Sequence, residues 1–312
     1  GAQGSTVSCR VTRPGIDPLG TTGVHFEGCM VWRYLPESRE FEIFAEGGGN
    51  VFGLEFDTIG RLFSGHNGGG TRGFHYVQGG YFQKSFAKHG QLSNPYAYGF
   101  FPFMTHHQVP RFTHTFVINE AGVLPDHYRR KLFGVSPLSS HVVYSEVSTE
   151  GSSFQTKDLG HPLQGTDNWF RPVDIKMGPD GAIYVVDWYN PIIDHGEVDF
   201  HHPLRDKSHG RIWRLTVRDR DLVERPKIAE ATNGELLDHL KAPEQYTRTQ
   251  ANRELVWRKV SAAAIDAIVN NLDPTDPEFD HHRLEALWLC TALNHKPIES
   301  LWQLLAAADP RI

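Results

Sequence analysis

The chain has 312 residues, 39% hydrophobic and 22% charged, which is ordinary for a globular protein with room for one large or two ordinary domains. Its net charge of −6 and pI of about 6.3 run against the basic surface that general nucleic-acid binding needs. No apolar run is long enough to span a bilayer as a helix, and 30 Gly, 19 Pro and 12% aromatics suit a turn-rich β protein.

In chain order, Gly1-Ala2-Gln3-Gly4 reads as the end of a strand, and Cys29-Met30-Val31-Trp32-Arg33-Tyr34-Leu35 as the strand that closes its unit. Cys9 and Cys29 sit on short strand patterns, where two unpaired thiols are favoured over a disulfide. The stretch from Val51 to Asn67 then reads as strand, turn, strand, closed by Gly73-Phe74-His75-Tyr76-Val77. A third version runs from Arg130 to Ser136 and is closed by His141 to Val147. In the fourth, Val173 to Met177 leads through Pro179-Asp180-Gly181 into Ile183 to Asp187, with Gly210 to Leu215 as the closing strand. The turn chemistry is specific, because Pro presets φ and Gly accepts a positive φ.

Repeated small sheets of this kind are the signature of a β-propeller, since one blade cannot bury both its faces. The fold expected is an all-β propeller, incomplete, with about four blades of a six-bladed ring, followed by α-helical repeats of the HEAT or armadillo kind. The propeller portion is assigned to residues 1–217, a linker to 218–231 and the helical repeats to 232–312. Both ends fall inside repeats, so a segment of a longer protein is expected.

Beyond Thr216 the period becomes helical. Thr232 and Glu235 have the spacing of a capping box, ahead of an apolar stripe of Leu236, Leu237 and Leu240 that Pro243 stops. Further helices are expected over 245–258 and 261–272, then along the stripes Leu284, Leu287, Trp288 and Ile298, Leu301, Leu304, Leu305. Cys290 should pack as a small apolar residue, and His281-His282 should face solvent.

On a propeller the loops at one rim converge, and four segments supply it: 1–5, 66–72, 167–172 and 187–211. His66 and Arg72 are candidate catalytic groups, with Asn67 beside them as a cofactor contact; loop scaffolding weighs equally for this group. The insert after Asp187 is dense in ionisable side chains, among them His195 as a further catalytic candidate. Arg171, Asp187, Trp188, Tyr189, Asn190 and His209 are the remaining candidates for holding a cofactor, Arg171 because guanidinium grips an acidic group. Asp187 reads equally well as an Asx cap on a strand end. The aromatic link 79–110 offers side chains that could wall a pocket. No tight metal-ligand spacing and no Gly-x-Ser-x-Gly elbow is present, and Gly68-Gly69-Gly70 lacks the Lys and helix of a phosphate loop.

Phe170-Arg171-Pro172-Val173-Asp174, Gly178 through Tyr189 and His209-Gly210-Arg211-Ile212-Trp213-Arg214 resemble the PVC-type membrane-bound dehydrogenase family, whose propeller is similar to soluble quinoprotein glucose/sorbosone dehydrogenases. The resemblance covers essentially the whole chain. It implies a periplasmic or cell-envelope oxidoreductase acting on a sugar or alcohol with pyrroloquinoline quinone and calcium. It further implies a haem c domain or cytochrome partner as electron acceptor, and these 312 residues contain no CxxCH haem motif. Two other functions stay open: a non-catalytic propeller that binds carbohydrate or protein, and a calcium-dependent lactonase.

Overall fold

The computed structural model describes residues 7–9, 24–26, 29–35, 40–48, 51–84, 100–106, 113–194, 196–307 and 312. Short alternating runs bounded by turn residues form strands throughout its first two thirds. β1 (Val7–Cys9) pairs antiparallel with β2 (Val24–Phe26). β3 (Met30–Leu35) and β4 (Glu40–Gly48) form an antiparallel pair. β5 (Glu55–Phe56), β6 (Leu62–Ser64) and β7 (Phe74–Tyr76) form an antiparallel meander. The described part of the aromatic link holds three strands: β8 (Tyr81–Lys84), β9 (Phe100–Phe101) and β10 (Thr105–His106). β8 lies parallel to β4, and β9 parallel to β8.

β11 (Phe116–Asn119), β12 (Lys131–Ser136), β13 (His141–Glu150) and β14 (Ser153–Gln164) make an antiparallel sheet, with β10 parallel to β14 at its edge. β15 (Pro172–Met177), β16 (Ile183–Asp187) and β17 (Arg211–Leu215) make the last. Its first turn is closed as the residues require: Gly181 takes φ +73°, and the Asp180 carboxylate accepts the Ala182 N–H at 3.2 Å and the Tyr184 hydroxyl at 2.8 Å.

Four sheets follow one another through three shared apolar layers. Val31 and Ala45 of β3–β4 pack with Leu62, Phe74 and Tyr76 of the β5–β7 meander. Phe63 of that meander packs with Phe116, Leu132 and Phe154 of the next sheet. Val117, Phe133, Val135 and Val142 of that sheet then meet Ile175, Ile183 and Val185 of the last. Each fully buried side chain of this size stabilises the fold by about 1.5–3 kcal/mol relative to exposure. Among the described residues no sheet closes on itself. The aromatic link contributes to these layers, since Tyr81, Phe82 and Met104 are buried, while Tyr96, Tyr98 and His107 lie outside the described residues.

Among the described residues five helices follow: α1 (Asn233–His239), α2 (Gln245–Trp257), α3 (Ala262–Asn270), α4 (Phe279–Ala292) and α5 (Ile298–Leu304). Thr232 and Glu235 form the reciprocal capping box, and Ser261 caps α3 through the Ala264 N–H. Leu236, Leu237, Leu240, Leu255, Ile265, Leu289 and Cys290 close one apolar core. The α5 stripe is different: Ile298, Leu301 and Leu305 are exposed and Leu304 alone of the four is buried.

His281 departs from its expected solvent position. It is buried because the helices dock on the β5–β6 turn, where its Nε2 lies 3.0 Å from the Thr58 carbonyl. Arg248 of α2 reaches the Thr58 hydroxyl and the Glu285 carboxylate, the latter at 2.8 Å, and Gln245 Nε2 donates to the Phe56 carbonyl at 2.8 Å. Gly60, at φ +79°, lies so close to Trp288 that a Cβ would sit 2.8 Å from the indole. Asp57 holds the turn by accepting from the Arg61 N–H and Nε at 2.8 and 2.6 Å.

Candidate functional site

Two loop clusters carry the residues singled out by sequence. The first leaves β6. His66 makes an antiparallel backbone bridge to Thr113, with N···O distances of 2.8 and 3.0 Å, which turns its ring inward on the edge of Phe74. Burial lowers the imidazole pKa to about 4, so the ring is neutral at physiological pH. Gly68 is required here because a Cβ would lie 2.2 Å from His66 Nε2.

Arg72 is fully buried. Its guanidinium forms a bidentate pair with Asp158 of β14 and donates to Thr113 Oγ1 at 3.0 Å. Ser145 Oγ donates to the same carboxylate at 2.6 Å. Burial pushes the Asp158 carboxyl up, but the bonds from Arg72 and Ser145 outweigh it and leave the pKa below the usual value. Arg72 thus ties the β6–β7 loop to the neighbouring sheet. Asp158 was not singled out in the sequence, and its 86-residue separation from Arg72 leaves no local signal.

The second cluster gathers at the C-terminal end of β16. Asp187, 1% exposed, accepts four hydrogen bonds: from the Arg171 and Tyr189 N–H groups at 2.8 and 2.9 Å, from Arg211 Nε at 2.7 Å and from Trp213 Nε1 at 2.9 Å. Burial raises its carboxyl, and these donors more than reverse that and hold it below the usual range. Arg171 is also buried and spends its guanidinium on the protein. Nε donates to the Asn190 carbonyl at 2.8 Å, Nη1 to the Pro137 carbonyl at 2.8 Å and Ser140 Oγ at 3.1 Å, and Nη2 to the Pro191 carbonyl at 2.9 Å. Asn190 is buried, donating from Nδ2 to the Asp206 carbonyl at 3.1 Å and accepting the Ile192 N–H at 3.1 Å.

What this frame presents outward is aromatic. Tyr189 takes φ +54°, a left-handed conformation that costs a non-glycine residue about 1–3 kcal/mol, and the Asp187 bond to its N–H holds it there. Its ring centroid lies 5.0 Å from that of half-buried Trp169 and 4.2 Å from the Arg211 guanidinium carbon. Exposed His209 flanks the ring at 6.1 Å, and Trp188 is exposed next in the chain. His209 Nδ1 lies 2.8 Å from Asp206 Oδ2, and the Ser208 N–H bond, with the His209 ring second, lowers the Asp206 pKa to about 2. Because the carboxylate accepts at Nδ1, the lone pair of neutral His209 is left at Nε2. His195 lies outside the described residues.

The structure therefore brings Arg171, Asp187, Tyr189, Asn190 and His209 into one cluster, and sets His66, Asn67 and Arg72 in another. Among the described residues no three His, Cys, Asp or Glu side chains gather as a metal site. Arg171, the expected grip for an acidic quinone, and Arg72, a catalytic candidate with the same guanidinium chemistry, are both consumed by internal partners. The described residues therefore do not fit a quinone–calcium cradle.

A family model for a domain of unknown function, DUF7133, matches residues 19–219. The chain belongs to the DUF7133 family. That match takes in both loop clusters of this DUF7133 protein and stops before its helices. No curated protein matches the chain. Among solved structures, an inferred oxidoreductase (glucose dehydrogenase) from Thermus thermophilus is similar at 19% identity and a TM-score of 0.37, over 55% of this chain. The chain spans about half of that structure, 47%.

Proposed function

We propose that the DUF7133 region is part of a β-propeller whose Tyr189 loop cluster binds a sugar or alcohol, in a protein of the oxidoreductase class. The propeller reading rests on small antiparallel sheets that share apolar layers in series, and the helices behind them are read as HEAT-like repeats. The ligand reading is carried by one observation: an aromatic platform of Trp169 and Tyr189, backed by Arg211, with the His209–Asp206 pair at its edge. Sugar rings stack their C–H faces on such platforms. An imidazole oriented by a carboxylate is suited to accept a hydroxyl proton at its free nitrogen.

The redox group belongs to the same proposal. Oxidation of an alcohol needs a bound hydride acceptor, which the sequence resemblance gives as a quinone; Arg72 and Arg171, engaged inside the protein, would not be its grip. A periplasmic location and delivery of electrons to haem c complete the reading taken from the sequence resemblance.

A non-catalytic carbohydrate-binding propeller is the second reading. The full engagement of Arg72, Arg171 and Asp187 inside the protein favours it, since these residues serve the loop frame. One experiment separates the two. Calorimetric titration with mono- and oligosaccharides is run beside a dye-reduction assay of the full-length protein loaded with quinone and calcium. The enzyme reading expects Tyr189→Ala to abolish both signals, and His209→Gln to abolish dye reduction while binding persists. Binding without dye reduction in the wild type leaves the second reading. No binding to any sugar or alcohol sinks both.

A further inference from the structure

One end of the β12–β13 hairpin holds polar groups that the frame does not use. Ser136 and His141 face each other across this hairpin, in register and flanking its turn. Cross-strand partners place their side chains side by side on one face of the sheet. That face is the one carrying Gly134 and Ser145. The Gly134 position abuts the Thr113 methyl, and Ser145 donates to Asp158. Both side chains therefore look towards the junction with the β6–β7 loop, behind the Arg72–Asp158 pair, on the side of the sheet away from the Tyr189 platform.

Ser136 is 1% exposed and His141 6% exposed. Neither Ser136 Oγ nor His141 Nε2 has a hydrogen-bond partner among the described residues. Asn67 Oδ1, in the loop that enters the same junction, is also buried without one. Native interiors satisfy nearly all such atoms, so exceptions at one junction call for a partner there, an ordered water or a ligand hydroxyl. The tautomer is fixed: His141 Nδ1 lies 3.1 Å from the Ser139 carbonyl, and a carbonyl only accepts, so the hydrogen is on Nδ1 and a lone pair on Nε2. Burial lowers the ring's pKa to about 4, which keeps that lone pair through the physiological range. His161 stacks on His141 at 4.0 Å with its own ring exposed, so rotation of one side chain uncovers the imidazole.

We propose that Ser136 and His141, with Asn67 of the β6–β7 loop as a further acceptor, form a second polyol subsite, in which His141 Nε2 accepts a ligand hydroxyl and Ser136 Oγ pairs with the next oxygen. The chemistry selects the class. The His141 and Asn67 acceptors and a hydroxyl that can serve either way match a neutral hydroxyl donor. A carboxylate or phosphate would meet two lone pairs. The proposal deepens the sugar-or-alcohol reading above and rests on it for the ligand class.

The test is titration of glycerol, xylitol and glucose into wild type, His141→Phe, Ser136→Ala and Trp169→Ala. It is run with ¹⁵N NMR of the His141 imidazole. Phe keeps the stack on His161 and removes the acceptor, while Ser136→Ala is small enough to fold if the first variant does not. Each is expected to weaken polyol binding roughly tenfold, equivalent to about 1.4 kcal/mol. The His141 Nε2 resonance should move as polyol is added to wild type. Wild-type affinity in both pocket variants with no movement of that resonance overturns the subsite and leaves the Tyr189 platform standing. Loss in the pocket variants but not in Trp169→Ala supports the subsite and overturns the platform. No polyol binding to wild type overturns both.

Discussion

Replacing Asp187 by Asn probes the frame that presents the candidate site. The carboxylate is 1% exposed and accepts two backbone and two side-chain hydrogen bonds between 2.7 and 2.9 Å. Asn keeps one oxygen, which can still serve the Arg171 and Tyr189 N–H groups. It turns an NH₂ towards Arg211 Nε and Trp213 Nε1, so two acceptances become donor–donor contacts. Hydrogen bonds to a charged group contribute about 1.5–3 kcal/mol each. Arg211 is about a third exposed, so its share sits at the low end. The expected loss is about 3 kcal/mol of unfolding free energy. Urea denaturation followed by Trp fluorescence and far-ultraviolet circular dichroism measures it. The pH dependence carries a sign as well. The folded pKa is depressed, so the contribution is present above the unfolded carboxyl value near 4 and fades as pH falls through the lower folded value. The wild-type advantage over Asp187→Asn should therefore shrink in acid. A loss under 1 kcal/mol at pH 7, or an advantage that grows in acid, refutes the reasoning.

Arg72→Lys should lose about 2–4 kcal/mol in the same assay, because an ammonium cannot reproduce the bidentate grip on Asp158 together with the Thr113 bond. His66 and His141 have folded pKa values of about 4, so the unfolded chain takes up their protons first as pH drops below about 6.5. Each should contribute about 1 kcal/mol of lost stability per pH unit through that window, and the slope of stability against pH should be shallower in His141→Phe. Gly60→Ala combines a φ of +79° with a Cβ 2.8 Å from Trp288, and should cost about 1–3 kcal/mol with a changed Trp emission. Gly68→Ala should displace the His66 ring, read as a shifted imidazole resonance.

Local chemistry was legible in the sequence. The Thr232–Glu235 box, the Pro179-Asp180-Gly181 turn and the strands on either side depend on neighbours within a few residues, and each lies where its pattern put it. Polar partners separated by the fold were not. Arg171 reads as a ligand grip because guanidinium suits anions, and Arg72 as a catalytic or a scaffolding group alike, and nothing in the sequence says that Arg72 faces Asp158 and Arg171 four protein oxygens. His281 and the α5 stripe show the same limit for burial. A histidine at a helix start is covered when another element docks on it, and an apolar stripe stays exposed when none does. The Tyr189 platform was half visible: its residues were singled out, but the left-handed backbone that lays Tyr189 against Trp169 has no signature in a tyrosine.

Arg171 fastens the β12–β13 turn to the loop after β16, and three of its four guanidinium partners are main-chain carbonyls, those of Pro137, Asn190 and Pro191. A carbonyl is present whatever side chain the residue bears. The rim is thus specified by the path of its backbone, with one side chain as the fastener. Side chains along the two fastened segments can be exchanged to alter what is recognised, provided the path is kept, while no other residue can replace the arginine. Libraries that vary the exposed positions beside Trp188 and Tyr189 on a constant Arg171–Asp187 frame should yield many folded proteins with different ligand preferences, whereas libraries that vary the frame should yield few.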